Sequence, residues 1–309
     1  MKKKSKIVWA VDPFVSEPRV QAHSLAMLQA LARRLNSIIY PVHILSDGLL
    51  GLSLPPAVLE KTYKDIALRR LEALVCNRGV SGMHKPEVVV CAPSSRSQAA
   101  EALDRFAQGK GADFIFISSH GRSGIKRAML GSFAETLVLH AQTPVMISGP
   151  HDTAPPRLER IIFPTDFSPA SRQAFGAAIG IAGRLRASLT VLHAVPDPAQ
   201  VYVSAGATLL GAGFIPIRSM MKENVTRQRK NARLWVERAR KKGVKAQAVI
   251  DVDTQSAAFS TLKTANKNAA GLIVMCSQSG GFSAAVLGSV GREVARTAQC
   301  PVLFLRHSD

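Results

Sequence analysis

Short apolar runs of about five residues alternate along this chain with longer stretches in which apolar residues recur every three or four positions, the two periods of strand and helix. The runs predict strands at 6–11, 38–44, 86–91, 113–118 and 144–148, and again near 160–164, 188–194, 246–250, 271–275 and 301–305. Between two of them, Ala170, Ala174, Ala177, Ala178, Ile181, Ala182 and Leu185 keep helical spacing. Ser168 followed by Pro169 supplies that helix with an N-cap and a first-turn residue. Strand–helix alternation implies right-handed crossovers and a parallel sheet covered on both faces. The expected fold class is α/β, built as two tandem doubly wound five-stranded parallel-sheet domains.

The second level of pattern is a duplication. Residues 131–145 and 288–302 both open with Gly-Ser and both close with Ala-Gln-x-Pro-Val, at an offset of 157. Earlier landmarks repeat at similar offsets, Ile7–Asp12 against Ile161–Asp166 and His43 against His193. A repeat this long is a duplicated domain and not a solenoid unit. The expected division is a first domain over 1–150, a linker over 151–156 and a second domain over 157–309. Two stretches, 46–56 and 198–219, depart from the repeat as loops rich in Gly, Pro, Ser and small apolar residues. They follow the second strand of each copy, where they are either lids over a crevice or ordinary variable loops.

Composition narrows the class. Hydrophobic residues make up 47% and charged residues 20% of 309 residues, which suits two globular domains and excludes wholesale disorder. No apolar run approaches the roughly 18 residues of a membrane helix. The basic start, Met1 to Lys6, is followed by only a strand's worth of apolar residues, too few for a secretory signal, so the chain is expected in the cytoplasm. Cys76, Cys91, Cys276 and Cys300 show neither Cys-x-x-Cys pairing nor zinc spacing, and read as buried reduced thiols. The formal charge is +19, and it is spread out. Residues 1–150 hold 19 basic and 11 acidic residues, a net of +8, and residues 151–309 hold 21 and 10, a net of +11. Such a field favours anionic ligands or surfaces without naming one. Between Arg227 and Lys245 lie nine basic residues against one acid, Glu237, with Val225, Ala232, Val236 and Ala239 as a buried stripe. That pattern is a helix with a basic outer face, either simply solvated or a polyanion-binding surface.

In an open parallel sheet, ligands bind outside the carboxyl ends of the strands, where strand order reverses. Three segments of the first copy converge there: Asp12 after strand one, Ile44 just past His43 on strand two, and Ser118-Ser119-His120-Gly121 after strand four. The last leads through nine residues to Gly131-Ser132, which opens a helix. Glycine lets a backbone approach a phosphate, and unpaired N–H groups at a helix start bind anions. A carboxylate such as Asp12 accepts hydrogen bonds from ribose hydroxyls. Each feature also has a plainer use. Gly-Ser is a sound helix start, Asp12 and Asp166 can cap the turns that follow them, and His120 suits packing or hydrogen bonding. His43 and His193 end core strands without a nucleophile or carboxylate partner in view. Ser279-Gly280-Gly281-Phe282-Ser283 superficially resembles the phosphate loop of ATP pyrophosphatases, but it follows strand four and lacks that loop's aspartate. A Gly-Lys-Ser/Thr phosphate loop is absent from the sequence.

The run Phe114 to Gly124, followed by Leu130-Gly131-Ser132 and Thr143-Pro144-Val145, resembles the nucleotide loop of universal stress proteins. Phe163-Pro164-Thr165-Asp166-Phe167-Ser168 resembles the start of a second copy. ATP-binding members of that family use Gly, two residues, Gly, nine residues, Gly, then Ser or Thr. In the first copy Ser118 stands at the first glycine, while Gly121, the nine-residue spacing, Gly131 and Ser132 are intact. In the second copy the two leading glycines correspond to Cys276 and Ser279, and only eight residues precede Gly288-Ser289.

The resemblance implies an adenine nucleotide alpha hydrolase-like fold, with the last strands, 144–148 and 301–305, meeting in an internal pseudo-dimer. It implies regulatory ATP binding in the first copy. Asp12 would take the ribose, the Ile44 backbone the adenine, and Ser118, Gly121, Gly131 and Ser132 the ribose–phosphate chain, with Mg²⁺ carried on the phosphates. The second-copy counterparts are Thr165, Asp166, Ala194, Gly288 and Ser289, in a site expected to bind ATP weakly or not at all. The rival expectation is a nucleotide-free stress-response scaffold that meets protein or polyanion partners through its basic surface, with homo-oligomers beyond the pseudo-dimer left open. Slow ATP hydrolysis finds no base and no metal-binding carboxylate pair in its support.

Overall fold

The computed structural model of the protein describes residues 4–14, 18–46, 56–76, 79–91, 95–118, 131–149, 151–152, 157–196, 217–277 and 287–306. The first copy supplies strands β1 (Ser5–Ala10), β2 (Ser37–Ser46), β3 (Glu87–Cys91), β4 (Phe114–Ser118) and β5 (Val145–Ser148). Its main helices are α1 (Pro18–Leu35), α2 (Lys64–Val75, preceded by short helical segments at Pro56–Val58 and Leu59–Tyr63), α3 (Arg96–Lys110) and α4 (Ser132–His140). The second supplies β6 (Arg160–Pro164), β7 (Ser188–Pro196), β8 (Ala246–Thr254), β9 (Leu272–Cys276) and β10 (Val302–Leu305). Its helices are α5 (Pro169–Leu185), α6 (Ile217–Lys241), α7 (Ala257–Lys267) and α8 (Ser289–Thr297).

The ten strands hydrogen-bond as one sheet in the order β3-β2-β1-β4-β5-β10-β9-β6-β7-β8. Pairing is parallel within each half, and only β5 and β10 run antiparallel, with Met146 opposite Leu303. The last strands therefore meet as the family resemblance implied. Strand residues alternate between two cores, as their period of two requires. Phe114 and Phe116 of β4 join α1, α2, α5 and α6 on one face, while Ile115 and Ile117 join α3, α4, α7 and α8 on the other. Each core runs through both halves without a break at the junction.

Magnitudes rank what holds the halves together. Val145, Met146, Ile147, Val302, Leu303 and Phe304 are all at most 2% exposed at the junction, and burying one such side chain is worth about 1.5–3 kcal/mol. Around them lie ion pairs. Arg34 of α1 reaches Glu159, and Arg184 of α5 reaches Asp113 and the Ser5 hydroxyl. These side chains are about one-third to one-half exposed, so each pair is worth only about 0–1 kcal/mol. Burial pushes the Asp113 carboxyl up, but hydrogen bonds from Arg184, the Lys6 backbone and Ser5, with the Arg184 charge, outweigh it and hold its pKa below the ordinary value. The apolar seam dominates.

Duplication also lets the junction be asymmetric. Glu135 of α4 and Arg292 of α8 occupy repeat-equivalent positions and pair with each other at 3.1 Å. An exact repeat would put like charges there. At the ends of β5 and β10 the equivalents are Gly149 and Arg306. A Cβ on Gly149 would stand 2.8 Å from the Ala295 carbonyl oxygen of α8. Arg306 instead donates to the His140 and Ala141 carbonyls at the end of α4, at 2.9 and 3.0 Å.

Several boundaries move from their sequence expectation. Strands β2, β7 and β8 run on to Ser46, Pro196 and Thr254, because each keeps a partner to its end, Ser46 with Cys91 and Pro196 with Thr254. Polar residues near the ends of β2 and β8 had hidden the continuation. Helix α6 begins at Ile217, so 217–219 are helix and not loop. On α6, Val225 is only half-buried, and Trp235 joins Ala232, Val236 and Ala239 in the buried stripe. Ser168 caps α5 as expected, accepting from the Ser171 N–H at 3.2 Å. Of the cysteines, Cys276 and Cys300 are buried, Cys91 is intermediate, and Cys76 is exposed at the end of α2, against the expectation of burial. None of the four is in a disulfide.

Candidate functional site

Strand order places the site. From β1 the chain steps outward to β2 and β3, then returns to lay β4 and β5 on the other flank. The carboxyl ends of β1 and β4, adjacent in register at Ala10 and Ile117, therefore border a crevice at the point of reversal. A helix joining parallel strands runs back along them, so α4 begins on this same side.

Four of the predicted first-copy residues lie along this edge. Asp12 follows β1, and its Oδ1 accepts the Phe14 N–H at 3.0 Å. Ser118 ends β4. Gly131 is the N-cap of α4 and Ser132 its first helical residue, with no side chain capping the helix start. Ile44 lies within β2, 5% exposed and opposite Val89, two residues short of the strand end. Gly121 lies outside the described residues, as do Ser119, His120 and the spacer to Leu130.

Gly131 sits at φ −60°, ψ 135°, a conformation open to any residue. Its counterpart Gly288 sits at φ −53°, ψ 149°, and a Cβ there would meet nothing within 4 Å. Backbone strain does not call for glycine at either helix start. At both, among the described residues, no side chain caps the first N–H groups of the helix, the arrangement that receives anions.

The floor of the first crevice is polar. Ser118 and Ser24 of α1 share a hydrogen bond between hydroxyls at 2.6 Å. Beside Ser118 in register stands Ser148, whose hydroxyl donates to Asp152 at 2.8 Å. His23 Nε2 lies 3.1 Å from the same Asp152 oxygen, a contact that is an ion pair when the imidazole is protonated. The facing carboxylate raises the His23 pKa more than burial lowers it. Asp152, read from sequence as linker, is 5% exposed. Burial, with the Asp152 charge nearby, pushes the Cys300 thiol up to about 12, which keeps it protonated and unreactive. Sequence reasoning missed Ser24, His23, Ser148 and Asp152. Only Ser148 was within reach, since the repeat pairs it with Leu305.

The second crevice differs. At the register position of Ser118 and Ser148 stand Cys276 and Leu305, 7% and 3% exposed. Asp166 Oδ1 is engaged by its own helix start, accepting from the Ser168 N–H at 3.0 Å and the Ser171 hydroxyl at 2.6 Å. Burial raises that carboxyl, but these hydrogen bonds outweigh it and its pKa lies below the ordinary value. Thr165 is 8% exposed and accepts the Phe167 N–H at 2.9 Å. Ala194 lies within β7 opposite Asp251. Gly288 and Ser289 open α8 and are exposed, while the Ser279 loop lies outside the described residues.

The two strand-end histidines hold the backbone. His43 Nδ1 lies 3.0 Å from the Val11 carbonyl, and His193 Nδ1 lies 2.7 Å from the Thr165 carbonyl. A carbonyl only accepts, so each Nδ1 carries the proton, and each ring fixes the residue before the crevice aspartate. Among the described residues no group of three His, Cys, Asp or Glu side chains is placed to hold a metal ion, and no helix is long and apolar enough to cross a membrane.

Comparison with known proteins agrees with this architecture. The sequence profile of the universal stress protein family matches residues 4–148 and again 157–306. Universal stress protein Rv2005c of Mycobacterium tuberculosis is 26% identical over 201 residues, 64% of this chain and 63% of that protein, so this match spans just under two-thirds of the relative. Universal stress protein Rv2623 of the same organism is 27% identical over 267 residues, 84% of this chain and 82% of that one. The crystal structure of a universal stress protein from Archaeoglobus fulgidus shares the fold, with a TM-score of 0.61 at 18% identity, covering 98% of this chain and 97% of that one. With one family's profile matched twice in succession, once for each half of the sheet, the chain belongs to the universal stress protein family.

Proposed function

We propose that the chain is a regulatory adenine-nucleotide binder of the stress response, acting in the cytoplasm and mainly through its first half. The observation that carries this reading is the contrast in crevices. Both keep an aspartate and a glycine-led helix start, but the first has a polar serine floor, whereas Cys276 and Leu305 make the floor of the second apolar. These residues fit ATP. Asp12 would hold the ribose, the Ile44 backbone the adenine, and Ser118, Gly121, Gly131 and Ser132 the ribose–phosphate chain. Mg²⁺ would be carried on the phosphates, neutralising their charge. The role of the site is binding, not turnover. In this reading 1–150 and 157–309 are the two units, with 151–156 the joint between them. Thr165, Asp166, Ala194, Gly288 and Ser289 are a vestigial counterpart.

Isothermal titration with ATP tests the assignment on the parent chain and on Gly121→Val and Gly131→Val, whose branched side chains obstruct approach to the phosphates. Losing the charged hydrogen bonds of one such contact is worth about tenfold or more in affinity. Equal binding by both variants and the parent rules the site out. A second reading, a scaffold working without nucleotide, is favoured by the basic outer face of α6. Mass spectrometry of small molecules that co-purify with the chain separates the two readings.

A further inference from the structure

A groove of about 260 Å³ opens between α5 and α6 in the second half, lined by Phe167, Arg172, Asn231, Leu234, Trp235 and Arg238. It shares no lining residue with the crevice residues Asp166, Ala194, Gly288 and Ser289. Its aromatic floor is packed inward, with the Phe167 ring edge-on to Trp235 at 5.2 Å and Phe175 against Trp235 at 4.6 Å. Trp235 is 8% exposed, while Leu234 beside it is 55% exposed. Phe167 is held at φ 60°, a left-handed conformation costly for a bulky residue, so the fold maintains this corner against a local preference.

Among the described residues the cations along the groove, Arg172 and Arg238, have no anionic partner. In the first half the Arg70 guanidinium of α2 lies over the Phe14 ring at 4.9 Å. Helix α6 continues the positive field with nine basic residues against two acidic ones. The stretch 197–216, which precedes α6 in sequence, holds a single acidic residue, Asp197.

We infer that the α5–α6 groove docks an acidic segment of a partner protein that inserts a large apolar side chain beside Leu234, with carboxylates meeting Arg172 and Arg238. Charge complementarity selects an anionic partner, steering its approach and fixing its register. The apolar surface selects a protein over a nucleic acid. Bases need exposed rings to stack on, and here the tryptophan is covered and the exposed group is a leucine. The inference is independent of nucleotide binding in the first half.

Fluorescence anisotropy of the full chain provides the test, with a labelled peptide whose central Leu-Phe pair is flanked on both sides by glutamates. The expected result is saturable binding that weakens with added salt. Arg172→Glu with Arg238→Glu should lower affinity about tenfold or more, and Leu234→Ser should lower it as well. Replacing the peptide's glutamates by glutamine, or its Leu-Phe pair by serine, should have the same effect. These side chains are exposed, so folding should survive. Should the double reversal fail to melt like the parent, Arg172→Gln with Arg238→Gln replaces it. Unchanged binding by the variants, no peptide binding up to the solubility limit, or a stronger variant-sensitive affinity for a single-stranded oligonucleotide or for anionic vesicles overturns the inference.

Discussion

At the last registered pair of β4 and β5 the first half of the sheet carries two serines, Ser118 and Ser148, and at the equivalent place the second half carries Cys276 and Leu305. Above them the helix residue is Ser24 in one half and, at its repeat equivalent, the buried Ala174 in the other. The frames around these positions are alike, from the parallel register to the histidine that holds the backbone ahead of each aspartate. Duplication has kept the scaffold and released one of its two floors. A buried hydroxyl must find a partner, at a cost of about 1–3 kcal/mol if it does not. Each serine of the first floor keeps such a partner, Ser118 with Ser24 and Ser148 with Asp152. Lose one partner, and an apolar replacement of the other becomes the cheaper arrangement.

The contrast can be broken most severely by cutting the chain. Residues 1–150 alone would expose Val145, Met146 and Ile147 along an edge strand and half of two continuous cores, and should self-associate. A soluble, stable monomer by light scattering would mean that the halves are independent after all.

Next in size is the packing asymmetry at the two strand ends. Gly149→Val drives a side chain into the Ala295 carbonyl and should cost about 1–3 kcal/mol in urea unfolding. Arg306→Ala, at the equivalent position, removes the donations to the His140 and Ala141 carbonyls without forcing a clash, and should cost about 1 kcal/mol. Comparable losses would show that the close approach at Gly149 relaxes freely.

A sharper test of the two floors uses the helix starts. If the first half alone binds ATP, Gly288→Val should leave the titrated affinity and stoichiometry of the parent unchanged. The same asymmetry should appear in crystals soaked with ATP, as density in the first crevice only. Equal occupancy in both would end the argument from apolar replacement.

The smallest expected effect is on pH dependence, and it too belongs to one half. The folded His23 pKa lies above its ordinary value of about 6.5. The folded chain thus holds this proton more tightly than the unfolded chain. The resulting stability is complete below about pH 6.5 and is lost as pH rises through the raised folded value. His23→Gln should flatten that part of the thermal-melt pH profile, whereas Gln173→Ala, at the repeat-equivalent position, should leave its slope as it was.

Much of this could be read in advance. The ten strands, the duplication and the N-cap at Ser168 all follow from local periodicity and from residues with one dominant backbone use. The strand ends were harder, because polar residues such as Ser46 continue a strand only when a neighbouring strand pairs with them. The departure at Ser118 was visible as a lost glycine. That its hydroxyl completes a floor with Ser24 and Ser148 was not.

The sequence by itself determined the α/β frame, its repetition, and which copy kept the family's glycines, since each is written in short-range pattern. Tertiary structure alone decided that Asp152 is a buried partner of His23, that Glu135 and Arg292 meet across the junction, and that Arg172 and Arg238 line one groove. Those facts depend on groups far apart in the chain, about 130–160 residues for the first two. Contacts at such separations are set by how helices and sheet pack, and packing leaves no periodic trace in the sequence.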